Sequence, residues 1–251
     1  MARRHPRSGS ATERLDIIVV ERGLAPTRER ARALILAGQV EVDGRIVSKA
    51  GAPVPLRAGV ALRTPDHPYV SRGGIKLAHA LDAFGVDPLG RRALDIGAST
   101  GGFTDVLLRR GATSVVALDV GHGQLDWRLR TDPRVIVREG VNARALGGDD
   151  VPQRVTLVTI DVAFISLRHI LPALPPVLER PADVIALVKP QFEAGRDEVG
   201  AHGLVTDPTV HEAVLARVTE AAAESGFERV GMTPSAITGA TGNQEFFLHL
   251  R

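Results

Sequence analysis

Two carboxylates flanking a glycine-rich turn are the first groups in this sequence with chemical potential. The run Asp95-Ile96-Gly97-Ala98-Ser99-Thr100-Gly101-Gly102-Phe103-Thr104 joins an apolar stretch to a helical one. Its glycines let the backbone turn tightly and approach a ligand. Asp119 closes the next apolar stretch and can accept hydrogen bonds from ribose hydroxyls. The spacing is G-x-x-x-G-G, whereas a dinucleotide fingerprint needs glycine where Ser99 stands. A pyrophosphate is also poorly served by Asp95. A cofactor carrying an ammonium and a sulfonium, and no phosphate, tolerates that acid. S-adenosylmethionine is therefore the expected cofactor, with a nicotinamide dinucleotide as its rival. A glycine-rich turn holding no ligand is the plain alternative. The expected cofactor set is Asp95, Gly97, Ser99, Thr100, Gly101, Gly102, Phe103, Asp119, Asn142 and Asp161.

Two more polar groups close later apolar runs: Asp161 after Thr159-Ile160, and Lys189 after Leu187-Val188. At adjacent strand ends they would face one rim and act together on a hydroxyl. A lysine acts as a base only without its proton; partial burial or a neighbouring cation favours that form, whereas a nearby carboxylate alone opposes it. Lys76, on the helix before the first strand, is the candidate neighbour. Glu245 opens the last strand and can orient either lysine. Taken singly, Lys76 and Glu245 also fit ordinary surface ion pairs. His79 and His169 have no partner spacing and read as packing or surface residues. Trp127 and Tyr69 are candidates for stacking on bases. With no Cys and no other ligand cluster, no metal is expected.

The elements that must position these groups alternate. Strand-like runs fall at 93–96, 114–118, 135–137, 155–160 and 184–188, with two more at 226–232 and 245–250. Helical patterns fall at 74–84, 102–110, 124–130, 167–178 and 208–225. Near-continuous apolar strands between helices predict an α/β fold, a mostly parallel sheet covered on both faces. In such sheets ligands bind beyond the carboxyl ends of the strands.

The first quarter of the chain reads differently. Residues 1–64 hold 12 Lys and Arg against 6 Asp and Glu, a net +6, while the rest hold 19 against 23, a net −4. A basic unit ahead of a mildly acidic one points to a polyanionic partner, although solvated arginine faces give the same balance. A helix over 13–22, a second from Arg28 capped by Thr27, an Asp43-Gly44 hairpin and a third strand at 60–62 make a small α+β domain at 12–64. Residues 1–11 read as a basic disordered arm and 65–70 as a Pro-containing linker to a domain at 71–251. No apolar run approaches the roughly 20 residues a bilayer needs, and no apolar stretch follows the basic start as in a signal peptide. A cytoplasmic monomer that does not engage membranes is expected.

The motifs together resemble the TlyA family, ribosomal RNA 2′-O-methyltransferases with an FtsJ-like catalytic domain. Residues 14–62, with Arg14-Leu15-Asp16, Thr27-Arg28-Glu29-Arg30-Ala31 and Gly38-Gln39-Val40-Glu41-Val42-Asp43-Gly44, are similar to the RNA-binding domain of ribosomal protein S-four. That resemblance implies that Arg14, Arg28, Arg32 and Arg45 meet RNA phosphates, contacts that position RNA rather than read its sequence. Ser71-Arg72-Gly73-Gly74-Ile75-Lys76-Leu77, Asp161-Val162-Ala163-Phe164-Ile165-Ser166-Leu167, Lys189-Pro190-Gln191-Phe192-Glu193 and Gly242-Asn243-Gln244-Glu245 resemble the catalytic motifs in order. The family's Lys-Asp-Lys-Glu set falls on Lys76, Asp161, Lys189 and Glu245, and the resemblance makes Lys189 the proton acceptor. It also implies a Rossmann-like seven-stranded sheet, S-adenosylmethionine as methyl donor, and a cytidine ribose in ribosomal RNA or ribosomal subunits as substrate. The basic arm resembles that of members acting on both subunits.

Overall fold

The computed structural model describes residues 11–63 and 67–251. Residues 1–10 of the expected basic arm and residues 65–66 at the start of the expected linker lie outside the described residues. The chain divides into two units, 1–68 and 69–251.

In the first unit, β1 (Thr12–Arg14) leads directly into α1 (Leu15–Glu21), followed by α2 (Arg28–Leu36). A three-stranded sheet has β2 (Val40–Val42) between β3 (Arg45–Ile46) and β5 (Val60–Leu62). Asp43 and Gly44 both take positive φ, 48° and 76°, as a tight hairpin turn requires. Thr27 caps α2 by accepting from the Arg30 amide. The apolar faces of the helices, Leu15, Ile18, Val19, Ala31, Leu34 and Ile35, close on Val40 and Val54. The expected first helix is shorter than its pattern suggests. Its first residues are drawn into β1, which pairs antiparallel with β4 (Pro53–Pro55), a strand that its two prolines hide from a propensity reading.

The second unit begins with α3 (Gly73–Phe84). It continues through β6 (Arg92–Ile96), α4 (Gly102–Arg109), β7 (Ser114–Asp119), α5 (Trp127–Arg130), β8 (Val135–Glu139) and β9 (Val155–Ile160). Then come β10 (Leu178–Val188), α6 (Pro190–Glu193), α7 (Pro208–Glu224), β11 (Arg229–Pro234) and β12 (Phe246–Leu250). The seven strands form one sheet in the order β11-β12-β10-β9-β6-β7-β8, parallel except for β12, which runs antiparallel to both neighbours. Alternate residues of the strands inside the β11 edge feed two cores. Leu94, Ile96, Val158 and Ile160 face α7, while Ala93, Leu157, Ile185 and Phe247 face α3 and α4. Burial on both faces is why these strands read as unbroken apolar runs. The Rossmann-like seven-stranded expectation holds.

Two expected helices change. Residues 167–178 form three short 3₁₀ turns, Leu167–His169, Leu171–Ala173 and Pro175–Val177. Pro172, Pro175 and Pro176 remove the amide donors a continuous helix needs. The pattern at 124–130 yields only the four-residue α5, because Asp126 caps it late by accepting from the Arg128 amide. The expected linker also ends early. Tyr69 and Val70 belong to the second unit, where the Tyr69 ring lies against Gly74 and the Val70 amide donates to Asp105. A β-carbon at Gly74 would stand 2.4 Å from Tyr69 Cγ. Tyr69 is thereby a helix-packing residue rather than a free stacking platform.

Candidate active site

The chain reverses its direction of travel across the sheet between β6 and β9, which are adjacent strands. Such a switch point opens a crevice at the strand ends. Gly97 follows β6 and Asp161 follows β9, and the Asp161 amide donates to the Ile96 carbonyl at 2.9 Å. Gly97 has φ +82°, and a β-carbon there would stand 2.2 Å from the Asp161 carbonyl oxygen. Glycine is therefore demanded both by conformation and by close approach. Four amides of the loop are consumed within the fold. Those of Gly97 and Ala98 go to Leu118, that of Gly101 to Ala98, and that of Ser99 to the Asp119 carboxylate at 2.8 Å. Those four amides are not available to a pyrophosphate.

Two lobes of one cleft meet at this switch point. The first, about 550 Å³, is lined by Ser71, Lys76, Thr100, Gly102, Phe103, Lys189, Phe192 and Glu245. The second, about 510 Å³, is lined by Asp119, Val120, Val141, Asn142, Ile165 and Ile170. Gly97, Ser99, Asp161, Ala163 and Phe164 line both. In the second lobe each Asp119 oxygen accepts one backbone amide, from Ser99 and from Gly121. A carboxylate oxygen has a further lone pair, so Asp119 can still receive ribose hydroxyls. The apolar walls suit a base beside it. Asn142 accepts from the Arg144 amide and leaves its amide nitrogen available. Gly101 lines neither lobe; a β-carbon there would meet Leu129 at 2.2 Å, so it serves loop packing.

The first lobe assembles the four expected reactive groups as two ion pairs. Lys189 Nζ lies 2.6 Å from Asp161 Oδ1, and Lys76 Nζ lies 2.5 Å from Glu245 Oε2. All four side chains are largely buried. The antiparallel course of β12 explains Glu245. Its first residue, Phe246, pairs with Val188 at the end of β10, so the residue before it reaches the rim that Lys189 occupies. The expected role of Lys76 changes. It is paired with Glu245 rather than standing as a bare cation.

Asp95 is corrected more fully. Expected among the cofactor groups, it is entirely buried and lines neither lobe. It alternates with Leu94 and Ile96 toward α4, where it accepts from Thr104 Oγ1 at 2.6 Å and Thr159 Oγ1 at 2.9 Å. Burial pushes its carboxyl up to about 6, against the opposing pull of those two hydroxyls. A folded-state value above the ordinary 3.8 stabilises the fold on protonation. That contribution is full below 3.8 and is lost as pH rises through about 6. Relative to Asp95→Asn, the unfolding free energy in urea should thus fall by roughly 1–3 kcal/mol on going from about pH 5 to pH 7.5.

Several groups at the cleft carried little signal as single residues. Phe164 has φ +63°, is 90% exposed, and packs its ring 5.0 Å from that of Phe192. Glu193 fixes the loop that carries Asp161 and Phe164. It accepts from Ser166 Oγ at 2.5 Å and from the Leu167 amide at 2.7 Å. Burial raises the Glu193 carboxyl above its ordinary range. Phe164, Phe192 and Glu193 all lie inside quoted motifs, and only a motif reading could have drawn them in. Trp127 is 73% exposed and lines neither lobe.

The FtsJ-like methyltransferase family model matches residues 69–251, and the S4 domain model matches residues 13–58. The chain is 48% identical to the 16S/23S rRNA (cytidine-2′-O)-methyltransferase TlyA of Mycobacterium tuberculosis, over 95% of this chain and 89% of that protein. This chain belongs to the TlyA family of FtsJ-like methyltransferases. A Campylobacter jejuni TlyA, named for 23S rRNA alone, is 35% identical over 77% of this chain and 75% of its own length. Among solved structures, a Streptococcus thermophilus protein named a hemolysin superposes with TM-score 0.76 at 43% identity, covering 96% of this chain and 89% of that one.

In the S4 domain of this TlyA-family chain, three of the four arginines expected to meet RNA lie together. Arg14, Arg28 and Arg32 converge on one carboxylate, Asp16, at 2.9, 3.1 and 3.1 Å. Arg45 stands apart, exposed on the β2–β3 hairpin. Among the described residues no helix is long and apolar enough to cross a membrane.

Proposed function

We propose that this chain transfers a methyl group from S-adenosylmethionine to the 2′-oxygen of cytidines in the ribosomal RNA of both subunits, acting in the cytoplasm. The observation that carries the proposal is the junction of the two lobes. A lobe with apolar walls and Asp119, suited to a ribose and base, runs into a lobe holding Asp161–Lys189 and Lys76–Glu245. The fit to S-adenosylmethionine rests on the available Asp119 lone pairs, the close passage at Gly97 and the spent amides of Gly97, Ala98, Ser99 and Gly101. Asp119 and Asn142 would hold the nucleoside end, and Gly97, Ser99, Thr100, Gly102 and Phe103 the amino-acid end. Bound there, the cofactor supplies a methyl group on a positively charged sulfur.

The protein's own task is then alignment and proton removal. Methyl transfer is an in-line displacement, so holding the ribose oxygen on the axis of the breaking bond lowers the barrier. Lys189, in its neutral form, takes the hydroxyl proton as the new C–O bond forms. Asp161 holds the lysine in place, and Glu245 with Lys76 closes the opposite wall. Phe164 offers an aromatic surface at the mouth for the target base. The M. tuberculosis relative's name supports cytidines in both subunits, and the S4 domain supports structured RNA as the ligand.

The test is a titration followed by a transfer assay. S-adenosylmethionine should bind the purified protein in calorimetry, and methyl-labelled cofactor should label the RNA of subunits from cells lacking this protein. Subunit binding without cofactor affinity would instead make it a non-catalytic ribosome-binding protein.

A further inference from the structure

The most heavily organised charge outside the cleft lies in the first unit. Asp16 is fully buried at the start of α1, yet three arginines from two separate segments reach it. Arg14 grips both oxygens, through Nε at 2.9 Å and Nη2 at 3.0 Å. Arg28 and Arg32, one turn apart on α2, each place one nitrogen on Oδ2 at 3.1 Å. The arginine side chains remain about half exposed, at 45%, 51% and 52%. A guanidinium has five N–H donors in a rigid plane. Among the described residues, Arg14 spends two of them on Asp16, and Arg28 and Arg32 one each. The remaining donors are free for another acceptor. Three cations over one anion leave a net +2, and guanidinium forks match phosphate oxygens.

We propose that Asp16 is a positioning residue for RNA docking: it fixes Arg14, Arg28 and Arg32 as a preformed face that receives backbone phosphates of structured RNA. The proposal rests on the reading of this unit as the RNA-docking domain. Without the buried anchor, three like charges repel and their long side chains sample many rotamers. Ordering them would then fall to the binding step, which weakens binding.

Charge counting and positioning predict opposite signs for Asp16→Asn. The variant gains one net positive charge, so charge alone predicts tighter binding and a steeper salt dependence. Positioning predicts the reverse. For the full chain titrated with large ribosomal subunits from cells lacking this protein, Kd and KM for subunits should rise about tenfold at fixed salt. The slope of log K against log salt should become shallower. The kcat at saturating subunits and the affinity for S-adenosylmethionine should not move. A folded Asp16→Asn chain that binds subunits as tightly as wild type, or more tightly, overturns the proposal.

If circular dichroism shows that this variant unfolds the domain, Arg28→Lys with Arg32→Lys decides. It keeps every charge and leaves Arg14 on Asp16, but removes two fixed planes. Binding should weaken roughly fivefold, and unchanged binding overturns the proposal. Arg28→Ala with Arg32→Ala tests the reading beneath it. If that pair leaves subunit binding intact, this face does not dock RNA at all.

Discussion

Lys189→Ala is expected to slow methyl transfer by roughly 10²–10⁴-fold, the range for loss of a positioned general base, while cofactor affinity stays within about twofold of wild type. Lys189 directly follows β10 and caps the proline-started α6, so its backbone is held on both sides. Its ammonium lies 2.6 Å from Asp161, whose own amide is pinned to β6. The side chain thus has one well-defined place to meet a hydroxyl. Lys189→Arg separates the two roles a lysine can play. Arginine keeps the charge and cannot give up its proton in a protein. It should be as inactive as alanine in single-turnover transfer from labelled cofactor, with melting temperatures confirming that both variants fold. Activity of the Lys189→Arg enzyme within a few-fold of wild type would mean that Lys189 contributes charge and not proton transfer.

Gly97→Ala should be the most damaging small change in the cofactor loop. Two costs combine. The left-handed conformation at φ +82° disfavours any side chain, by about 1–3 kcal/mol. The new β-carbon would also stand 2.2 Å from the Asp161 carbonyl oxygen, a contact no rotamer change relieves. Either the loop or the Asp161 backbone has to shift, and both line the cleft where its lobes meet. S-adenosylmethionine affinity in calorimetry should fall by roughly 10²-fold, with a lowered melting temperature. Gly148→Ala is the control. Nothing lies within 4 Å of its added β-carbon, so stability should stay within about 0.5 kcal/mol and cofactor binding should be unchanged.

The legible parts of this fold were those set by local pattern. Strands buried on both faces announced themselves as apolar runs, and Asp43-Gly44 announced its hairpin. Four reactive residues stood at strand or helix positions that the sheet order brings to one rim. Illegible features depended on partners distant in sequence. The β1–β4 pair joins residues about forty positions apart and hides behind two prolines. Asp95 reads as a rim residue because it lies one position from the end of an apolar run, next to glycines. Only the facing Thr104 and Thr159 reveal that it points inward. The pairing of Lys76 with Glu245 spans 169 residues, so its charge balance could not be read from either residue alone. Arg14, Arg28 and Arg32 were visible as basic positions, but the buried acid that gathers them was not.

Nucleoside analysis of the reaction product tests the central claim most directly. Ribosomal subunits from cells lacking this protein are incubated with the purified chain and S-adenosylmethionine, and their RNA is digested to nucleosides for mass spectrometry. The expected product is 2′-O-methylcytidine from both 16S and 23S RNA. Each site should also resist alkaline cleavage, because the blocked 2′-oxygen cannot attack the adjacent phosphate. A methyl group on the cytosine base, or no methyl group despite tight subunit binding, would contradict the assignment of this cleft to ribose 2′-O-methylation.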